Sequence, residues 1–597
     1  MKRKVLLFLS LFMLLQVFAF AQSKTIKGTV KDAKTNETIP GATVMEQGTT
    51  NGTNTDVNGA YSITVGGEEK KLVISALGYV TQIIPADKDV IDVNLSLDVK
   101  TLEVTVVTAN AIPRQQRSLP GSTAVVDNED LTQGQNTSAL AALQGKVSGL
   151  NITSGTGGPT SATRVVLRGG SSFTGNNQPL IVVDGVPIDN SSFRNGDDIN
   201  NQVDYGNRGN DINPEDIESV SILKGPGAAA LYGARASNGA IIYTTKSGKN
   251  MKGGPGNKKV EITLNSSTTF STVLKLPDFQ NEYGQGNIYV GGFPQDRREN
   301  FSWGYAFDGK ERPWGQIIDG KQRNKKYEAI EDNVKDFFNT GVTYNNTLGI
   351  AGGNEKTTFY LSLNSVKGKG IVPNTESSKY NVRYNGSTQL TNNFSATYSA
   401  NFTNNVYQLP SGGQNAGSVT SALIQTPRDI PIVDGKDLSD PFNSYNDVDG
   451  KYGFYGAYYL NPYFVSEAFR NENKVNRFLG NVSLKYQNEK FKWFSILDRL
   501  GGDIFSERHE QRWKKYNYTP YDDFYDGNNQ TYQGKFQQDI FNFSEITNDV
   551  MINLDQQFNE NFRAYGTIGQ NFRQTSSDQT SAQTNAQNGL AIADYYN

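Results

Sequence analysis

The sequence predicts a mainly β protein, and two observations lead to that prediction. Apolar and polar residues alternate over many short stretches, which is the pattern of strands buried on one side. The 597 residues include 60 Gly, 30 Tyr and 31 Phe, although only 36% of the chain is hydrophobic. Because glycine suits tight turns and aromatic residues favour strands, we expect a chain of short strands and turns.

The composition excludes several classes of function. The chain has no Cys and a single His, His509, so it cannot build a thiolate or multi-His metal site, a disulfide framework or a catalytic Cys. Lys and Arg number 57 against 60 Asp and Glu, which is not the basic excess of a nucleic-acid-binding protein. An enzyme with a Ser-His-Asp triad would depend on His509, whose neighbours Glu507, Arg508 and Glu510 indicate a charged loop or strand end. We therefore expect no catalytic residues, cofactor or metal.

Residues 1–21 are predicted to be a cleaved signal peptide. Lys2, Arg3 and Lys4 precede an apolar run, and Ala19-Phe20-Ala21 gives an A-x-A cleavage site. A signal anchor is the alternative, although the apolar run is short. No later segment reaches the roughly 18 apolar residues of a membrane helix. The mature protein is thus expected to be secreted, periplasmic or a β-barrel in an outer membrane.

Residues 22–99 are predicted to form a small β-sandwich. Ile26–Val30 alternates between apolar and polar residues, as a half-buried strand does. Asp56–Gly59 lacks the ligand spacing of a calcium-binding EF-hand loop. We interpret it as a turn that leads into a strand over Ala60–Ile63.

A linker follows over residues 100–110, and its segment Leu102–Thr108 is rich in β-branched residues. A strand with free edges can be captured by the sheet of a partner through backbone hydrogen bonds. The same segment could equally be the last strand of the preceding sandwich. The residues of the linker alone do not decide between the two.

Residues 111–252 predict a small α/β domain. Its expected elements are a helix over Asn136–Gln144 that Gly145 ends, a strand over Arg164–Arg168, a hairpin over Leu180–Ile188 and a short helix that starts at Asn213-Pro214. Asp184-Gly185 is the two-residue turn of that hairpin, so we interpret Asp184 as a turn former instead of a catalytic carboxylate. The stretch Gly225–Ala230 matches G-x-G-x-x-A, but no acidic residue follows before Glu261, which argues against dinucleotide binding.

From residue 253 to 597 the pattern is typical of barrel strands. Apolar residues alternate with polar ones at Val260–Leu264, Tyr380–Asn385, Phe394–Phe402 and Phe562–Ile568. A lipid-facing side and a wet lumen side produce this alternation. A soluble β-sandwich also alternates, but the many Tyr and Phe near strand ends favour the aromatic girdles of a membrane barrel.

Four motifs carry a resemblance to a known family. They are LQGKVSGLNI (143–152), RVVLRGGSS (164–172), PLIVVDGVPI (179–188) and NPEDIESVSILKGPGAAALYGARASNGAIIYTTKSG (213–248). In this order they resemble the plug of the SusC/RagA family of TonB-linked outer-membrane transporters. Residues 22–99 resemble the Ig-like carboxypeptidase regulatory-like domain, so the resemblance covers essentially the whole chain. One departure is Lys224–Gly227, where many members carry an acidic residue and Ser or Ala; it bears on the geometry of the turn.

The resemblance implies a plug that gates the lumen of an outer-membrane barrel. It identifies a TonB box at Glu103, Val104, Thr105, Val106, Val107 and Thr108, which would bind TonB and its inner-membrane ExbB/ExbD motor. The plug motif residues are Arg168, Gly169, Asp184, Gly185, Lys224, Gly225, Tyr232, Gly233, Asn238 and Gly239. Family members import oligosaccharides or peptides with a SusD-like surface lipoprotein. The alternatives are a siderophore receptor, or a secreted or surface binding or adhesion protein without energy coupling.

Plugged barrels of this class have about 22 strands, and each strand needs about 9–11 residues plus a connection. Residues 258–597 suffice for about half that number. We therefore expect a partial barrel, as in an N-terminal fragment or a truncated gene product. Tyr455, Tyr458 and Tyr459 are candidates to stack on sugar rings in an external loop, with a girdle and loop packing as the alternative.

Overall fold

The computed structural model describes residues 23–49, 51–66, 71–76, 78–96, 105–107, 113–115, 122–155, 158, 160–170, 172–173, 176–192, 203–225, 232–248, 260–287, 300–318, 320–414, 417–440, 442–443, 460–488, 490–518, 530–559, 562–584 and 589–590. The predicted signal peptide lies outside these residues. The chain divides into two compact units, Met1–Thr105 with Gln115–Ser118, and Val106–Arg114 with Leu119–Asn597.

The first unit is a β-sandwich, as predicted. Its strands are β1 (Ser23–Asp32), β2 (Thr43–Glu46), β3 (Gly52–Asn54), β4 (Ala60–Gly66), β5 (Lys71–Ser75), β6 (Gln82–Pro85) and β7 (Val93–Leu95). They form one sheet in the order β4-β1-β7 and another in the order β3-β2-β5-β6. The alternate residues Ile26 and Val30 of β1 face Ile63 and Leu72 in a single buried core, because side chains of a strand point to opposite faces in turn.

Asp56–Gly59 forms the predicted turn before β4. The Oδ1 atom of Asp56 accepts hydrogen bonds from the amides of Asn58 and Ala60, at 2.9 and 2.8 Å. This carboxylate is thus occupied by the backbone of its own turn, which agrees with a structural role.

Within the linker, β8 (Thr105–Val107) and β9 (Pro113–Gln115) form a two-stranded sheet. Only the backbone of these two strands is described. Three of the six residues of the predicted TonB box therefore lie in a short strand, and Glu103, Val104 and Thr108 lie outside the described residues.

Residues 122–248, which we call the inner domain, form a small α/β fold. Its elements are β10 (Thr123–Asp127), α1 (Asn128–Thr132), β11 (Leu150–Ser154), β12 (Thr163–Leu167), β13 (Leu180–Val183), β14 (Val186–Ile188), β15 (Ile217–Leu223) and β16 (Ala240–Thr245). Five strands make one mixed sheet in the order β10-β15-β16-β13-β14, with β13 parallel to β16, and β11 pairs with β12. Both faces of β13 are buried, which explains its continuous apolar run.

Local predictions in the inner domain had mixed outcomes. Asp184-Gly185 forms the turn between β13 and β14, with positive φ angles of 49° and 86° at the two residues. The short helix at Pro214–Asp216 is a 3₁₀ turn that Asn213 caps by accepting from the amide of Glu215. The predicted helix over Asn136–Gln144 is wrong: only a 3₁₀ turn at Ala141–Leu143 forms. Packing decides here, since Ala142 and Leu143 are buried in the core and tertiary contacts outweigh helix propensity.

The remaining strands are β17 (Glu261–Ser271), β18 (Gly286–Asn287), β19 (Ser302–Trp303), β20 (Glu311–Ile318), β21 (Lys321–Lys326), β22 (Gly341–Gly353), β23 (Thr357–Lys369), β24 (Glu376–Gln389), β25 (Phe394–Leu409), β26 (Phe469–Gln487), β27 (Phe494–Trp513), β28 (Tyr516–Tyr518), β29 (Gln530–Tyr532), β30 (Lys535–Gln557) and β31 (Arg563–Gln583). Nine of them form one antiparallel sheet in the order β17-β22-β23-β24-β25-β26-β27-β30-β31, which we call the outer sheet.

The outer sheet has the reverse polarity of a sheet in a water-soluble protein. Val382 and Phe402 are paired across β24 and β25, and they are 44% and 49% exposed. The neighbouring pair, Asn381 and Thr403, is 1% and 0% exposed and joined by a hydrogen bond of 2.7 Å. Apolar side chains facing out and polar ones facing in are typical of barrel strands in an outer membrane. The predicted barrel pattern is thereby confirmed.

The connections differ between the two rims of the outer sheet. Four short turns join strands at one rim, at residues 354–356, 390–393, 488–493 and 558–562. At the other rim a short turn at residues 370–375 joins β23 to β24, and the longer segments 272–340, 410–468 and 514–534 make the remaining connections. The long segments carry α2 (Val419–Gln425) and α3 (Pro462–Ala468) and share a buried core that includes Trp314, Phe337 and Trp513. Short periplasmic turns and long external loops are usual in outer-membrane barrels. Among the described residues, no helix has both the length and the apolar character that crossing a bilayer requires.

Candidate functional site

The inner domain lies against the polar face of the outer sheet, and buried charged side chains join the two. The contacts belong to one compact unit of the chain. They fall into three groups, centred on Arg477 of β26, on Arg383 of β24 and on Glu545 of β30.

Arg477 is the centre of the first group and is almost completely buried. Its Nε and Nη2 atoms donate to the two carboxylate oxygens of Asp503 on β27, both at 2.8 Å. Its Nη1 atom forms an ion pair with Asp211 of the inner domain at 3.1 Å and also donates to the carbonyl of Arg208 at 2.6 Å. The fourth contact is to the carbonyl of Asp189 at 3.0 Å. One guanidinium thus contacts a carboxylate of the outer sheet and three groups of the inner domain, namely one carboxylate and two carbonyls.

Arg208 of the inner domain forms ion pairs with Asp211 and with Glu507 of β27, both at 3.4 Å. Burial opposes the charge on Arg208, but the carboxylates of Asp211 and Glu507 outweigh it and raise the pKa of the guanidinium. Glu507 is also 2.8 Å from Nε2 of His509, whose ring stacks on Tyr205 with centroids 4.1 Å apart.

The expectation of a charged loop or strand end at His509 needs correction. His509 lies inside β27 and is 1% exposed, because its side chain points to the polar, inward face. It packs on the inner domain and contacts a carboxylate. In the described part of the chain, no three His, Cys, Asp or Glu side chains are placed to hold a metal ion.

Arg383 on β24 is the centre of the second group. It lies 3.6 Å from the carboxylate of Asp184 and 3.7 Å from that of Asp216, both in the inner domain. Four residues earlier on the same face, Lys379 donates to the carbonyls of Asn210 and Ile212, at 2.9 and 3.4 Å. β24 therefore supplies two buried cations to the inner domain.

Glu545 on β30 is the centre of the third group. Arg235 of the inner domain approaches one of its carboxylate oxygens at 2.8 Å, and Arg573 of β31 approaches the other at 2.7 Å. A buried carboxylate thus lies between a cation of the inner domain and a cation of the outer sheet.

The predicted turn former Asp184 also stabilises the end of β16. Its carboxylate accepts from the amide and the hydroxyl of Thr245, at 2.9 and 2.6 Å. The next residue, Gly185, lies against Arg499 of β27: a Cβ atom at this position would be 1.8 Å from Nη1 of Arg499. The Asp184-Gly185 pair is thus both a turn and a contact with the outer sheet.

The other predicted plug residues have structural roles. Arg168 and Gly169 end β12 with positive φ angles of 59° and 98°. A Cβ atom at Gly239 would lie 2.7 Å from both a side-chain carbon of Leu167 and the carbonyl of Leu223. The remaining residues of this set are Lys224, which donates to the carbonyl of Ser148 at 2.7 Å, Gly225 and Gly233, which have positive φ angles, Asn238, which donates to the carbonyl of Asn176 at 2.8 Å, and Tyr232, which is half-buried.

A cavity of about 210 Å³ separates the inner domain from β17, β22 and β23. Glu215, Lys246, Glu261 and Tyr360 are among its lining residues. Asn265 of β17 donates to Glu215 across it at 2.8 Å. The interface is therefore less closely packed here than around Arg477.

The candidate substrate residues Tyr455, Tyr458 and Tyr459 lie outside the described residues, so stacking on a sugar remains a prediction. Tyr463, at the end of the same aromatic stretch, is described. It is buried in α3 with its ring 4.8 Å from that of Phe337. At this residue the structure shows loop packing.

The sequence indicated the inward direction of Arg383 through the alternation around it, but it did not indicate Arg477, Asp503, Glu507 or Glu545 as contacts of the inner domain. One signal was available: each is a charged residue at an inward position of a long strand. Its partner lies far away in sequence, 310 residues for Arg235 and Glu545.

Comparisons with known proteins agree with this architecture. A model of the TonB-dependent receptor plug domain matches residues 103–240, and a model of the CarboxypepD_reg-like domain matches residues 26–108. The TonB-dependent receptor SusC of Bacteroides thetaiotaomicron is 28% identical over 84% of this chain and 46% of its own length. The TonB-dependent receptor P39 of Formosa agariphila is 30% identical over 66% of this chain and 34% of its own length. The chain spans less than half the length of these curated relatives.

Solved structures resemble the fold. The RagAB peptide importer in the "open-open" state matches with a TM-score of 0.57 and 20% identity, over 83% of this chain and 52% of that chain. At this identity the match concerns the fold alone. The matches to the plug and regulatory-like domains and the similarity to SusC support a SusC/RagA-type TonB-dependent receptor.

Proposed function

We propose that the chain forms the gated entrance of an importer that carries oligosaccharides or peptides across the outer membrane, driven by TonB. The inner domain is the plug, and the outer sheet is part of the barrel wall. The observation that carries the proposal is the plug bound by buried ion pairs to the polar face of a sheet whose other face is apolar.

Such an interface suits a gate that must be held closed and yet be opened. A plug attached by a large apolar surface would expose that surface to water on opening, at roughly 25 cal/mol per Å². Here many of the contacts are hydrogen bonds and ion pairs, such as Arg477 with Asp211 and Asn405 with Asp211 at 2.7 Å. Water can replace these partners when the two surfaces separate, so opening requires less work.

Energy would enter through the TonB box at Glu103–Thr108. Its short strand β8 offers a backbone edge to which periplasmic TonB can add a strand. TonB, coupled to ExbB/ExbD in the inner membrane, would then pull on the plug through the linker. The cell location that this requires is the outer membrane, reached by export through the signal peptide.

The rim with long connections would face outside and meet a SusD-like lipoprotein that delivers cargo. Tyr455, Tyr458 and Tyr459 belong to one of these connections, which supports a role in contacting oligosaccharide or peptide. No catalytic step is part of this proposal. A secreted binding protein without energy coupling is the competing function, and recovery of the protein outside the outer-membrane fraction would favour it.

The test is a pair of substitutions in the full-length receptor. Val106→Pro removes the amide hydrogen from β8 and blocks strand pairing, whereas Val106→Ala keeps it. With fluorescent oligosaccharides and peptides as cargo, we expect Val106→Pro to abolish TonB-dependent uptake and to preserve surface binding. Val106→Ala should retain most of the uptake. Unchanged uptake in Val106→Pro would rule out the proposed coupling.

A further inference from the structure

We propose that the plug opens on one side only: it separates from β26, β27 and β30 while it stays bound to β24. The inference rests on the proposed function, since it specifies how the pull is used. The reason is that some charged groups keep a partner when the plug separates from the wall, whereas others do not.

On β26 and β27 the wall charges keep partners of their own. Arg477 retains both hydrogen bonds to Asp503 when the plug carbonyls of Asp189 and Arg208 leave. Glu507 retains His509 at 2.8 Å and Asn473 at 3.0 Å when Arg208 leaves. Separation here leaves no wall charge without a partner.

The same holds on the plug and at β30. Arg208 forms an ion pair with Asp211 within the plug, so it keeps a carboxylate partner when it leaves Glu507. Glu545 retains Arg573 of β31 when Arg235 departs. Each ion pair between the plug and the wall on this side is therefore accompanied by a second ion pair or hydrogen bond within the plug or within the wall.

β24 differs. In the described part of the chain, the ion pairs of Arg383 are both with plug carboxylates, Asp184 and Asp216. Lys379 is buried as well, and its ammonium donates to two plug carbonyls, those of Asn210 and Ile212. Withdrawing the plug from β24 would leave Arg383 and Lys379 with water in place of their plug partners, whereas the wall charges on β26, β27 and β30 would keep a protein partner as well. Separation at β24 is therefore the more costly of the two. The plug should therefore pivot about β24.

Two matched reporter residues test this. Asn473 on β26 donates to the plug carbonyl of Tyr205 at 2.9 Å, and Asn385 on β24 donates to the hydroxyl of Thr245 at 2.7 Å. Both are buried, and the chain has no native Cys. Asn473→Cys and Asn385→Cys in the full-length receptor are treated in cells with a charged methanethiosulfonate reagent, with and without TonB, after equal membrane levels are verified.

We expect TonB to accelerate modification of Asn473→Cys at least about five-fold and that of Asn385→Cys less than two-fold. Equal acceleration at both positions, or acceleration at Asn385→Cys alone, would overturn the inference while leaving energy coupling intact. No acceleration at either position would instead count against the proposed function.

Two further variants connect the result to the charges. Asp503→Asn removes the wall partner of Arg477, and Arg573→Gln removes that of Glu545, so each should at least halve the TonB-dependent acceleration in Asn473→Cys. Asp498→Asn, at an outward position of the same strand as Asp503, is the control and should leave it unchanged. If Asp503→Asn and Arg573→Gln both behave like Asp498→Asn, the partners within the wall do not control the opening.

Discussion

Arg477 and Asp503 form a two-point ion pair across β26 and β27, and both side chains are at most 2% exposed. Arg563 and Asp555 repeat the same geometry at 2.6 Å on β31 and β30, but their side chains are 52% and 47% exposed. The two pairs share their two-point geometry but differ in their access to solvent, and Arg477 in addition contacts the inner domain.

This contrast gives the first prediction. Arg477→Met leaves Asp503 buried without its cation and should lower the free energy of unfolding by about 3–5 kcal/mol. Arg563→Met, at the exposed pair, should lower it by less than about 1 kcal/mol. Denaturant unfolding of the receptor in lipid vesicles measures both. Similar losses for the two variants would show that the interior of the sheet does not exclude solvent from Arg477.

The second prediction concerns the outward face of the outer sheet. Leu500 is an exposed residue near the middle of β27, and Leu554 lies close to the rim of β30 with the short turns. If lipid covers this face, Leu500→Arg should lower the free energy of unfolding by about 2–4 kcal/mol, and Leu554→Arg by only about 0–1 kcal/mol. On a water-facing surface both changes would stay within about 0.5 kcal/mol. Equilibrium folding into vesicles separates the two cases.

Gly185 is the subject of the third prediction. Gly185→Ala places a Cβ atom against the guanidinium of Arg499, at a φ angle of 86°. Gly169→Ala, at a φ angle of 98°, has no atom of a described residue within 4 Å of its new Cβ, its chain neighbours aside. Gly169→Ala should lower the free energy of unfolding by about 1–2 kcal/mol through backbone strain. Gly185→Ala should lower it by about 1–3 kcal/mol more, because its Cβ atom also contacts Arg499. Denaturant midpoints of the two variants test the difference, and equal losses would contradict it.

The fourth prediction is a dependence of the sandwich on pH. The hydroxyl and the amide of Thr29 both donate to Asp92 at 2.8 Å and hold the pKa of this carboxyl below its ordinary value. A lowered pKa in the folded state means that the unfolded chain binds more protons in acid. The stability contributed by Asp92 is therefore full above about pH 4 and is lost as the pH falls through the lowered value.

Residues 22–99 can be used for this measurement, because their described part has a core of its own. Urea midpoints between pH 7 and pH 2.5 should fall for the wild type and fall less for Asp92→Asn. Thr29→Val, which removes only the hydroxyl, should give part of the same change. A fall of equal size in Asp92→Asn would assign the acid sensitivity to other groups.

The strands and their faces were predictable because a strand is a local pattern. Tyr380–Asn385 alternates in the sequence, and the structure places Asn381 and Arg383 inward and Val382 outward. The Asp184-Gly185 turn was predictable for the same reason, since positive φ angles restrict the residue types.

The contacts of the site were not predictable, because they join distant parts of the chain. Nothing near Arg477 in the sequence points to Asp211, 266 residues away. The wrong helix over Asn136–Gln144 has a related cause: burial of Leu140 and Leu143 against the sheet of the plug decides the local backbone. Periodicity gives the direction of a side chain, and only the assembled fold gives its partner.

The reversed polarity of the outer sheet also bears on how the chain travels to the membrane. In the strands of the outer sheet apolar residues occur at every second position, as at Val382 and Tyr384. These strands therefore contribute no long apolar segment to the extended chain, whose mean hydropathy is −0.54. Export machinery retains helices of about 20 apolar residues in the membrane, and these strands offer no such segment. The continuous apolar surface forms only when the strands pair. The strands should therefore pair where lipid can cover that surface.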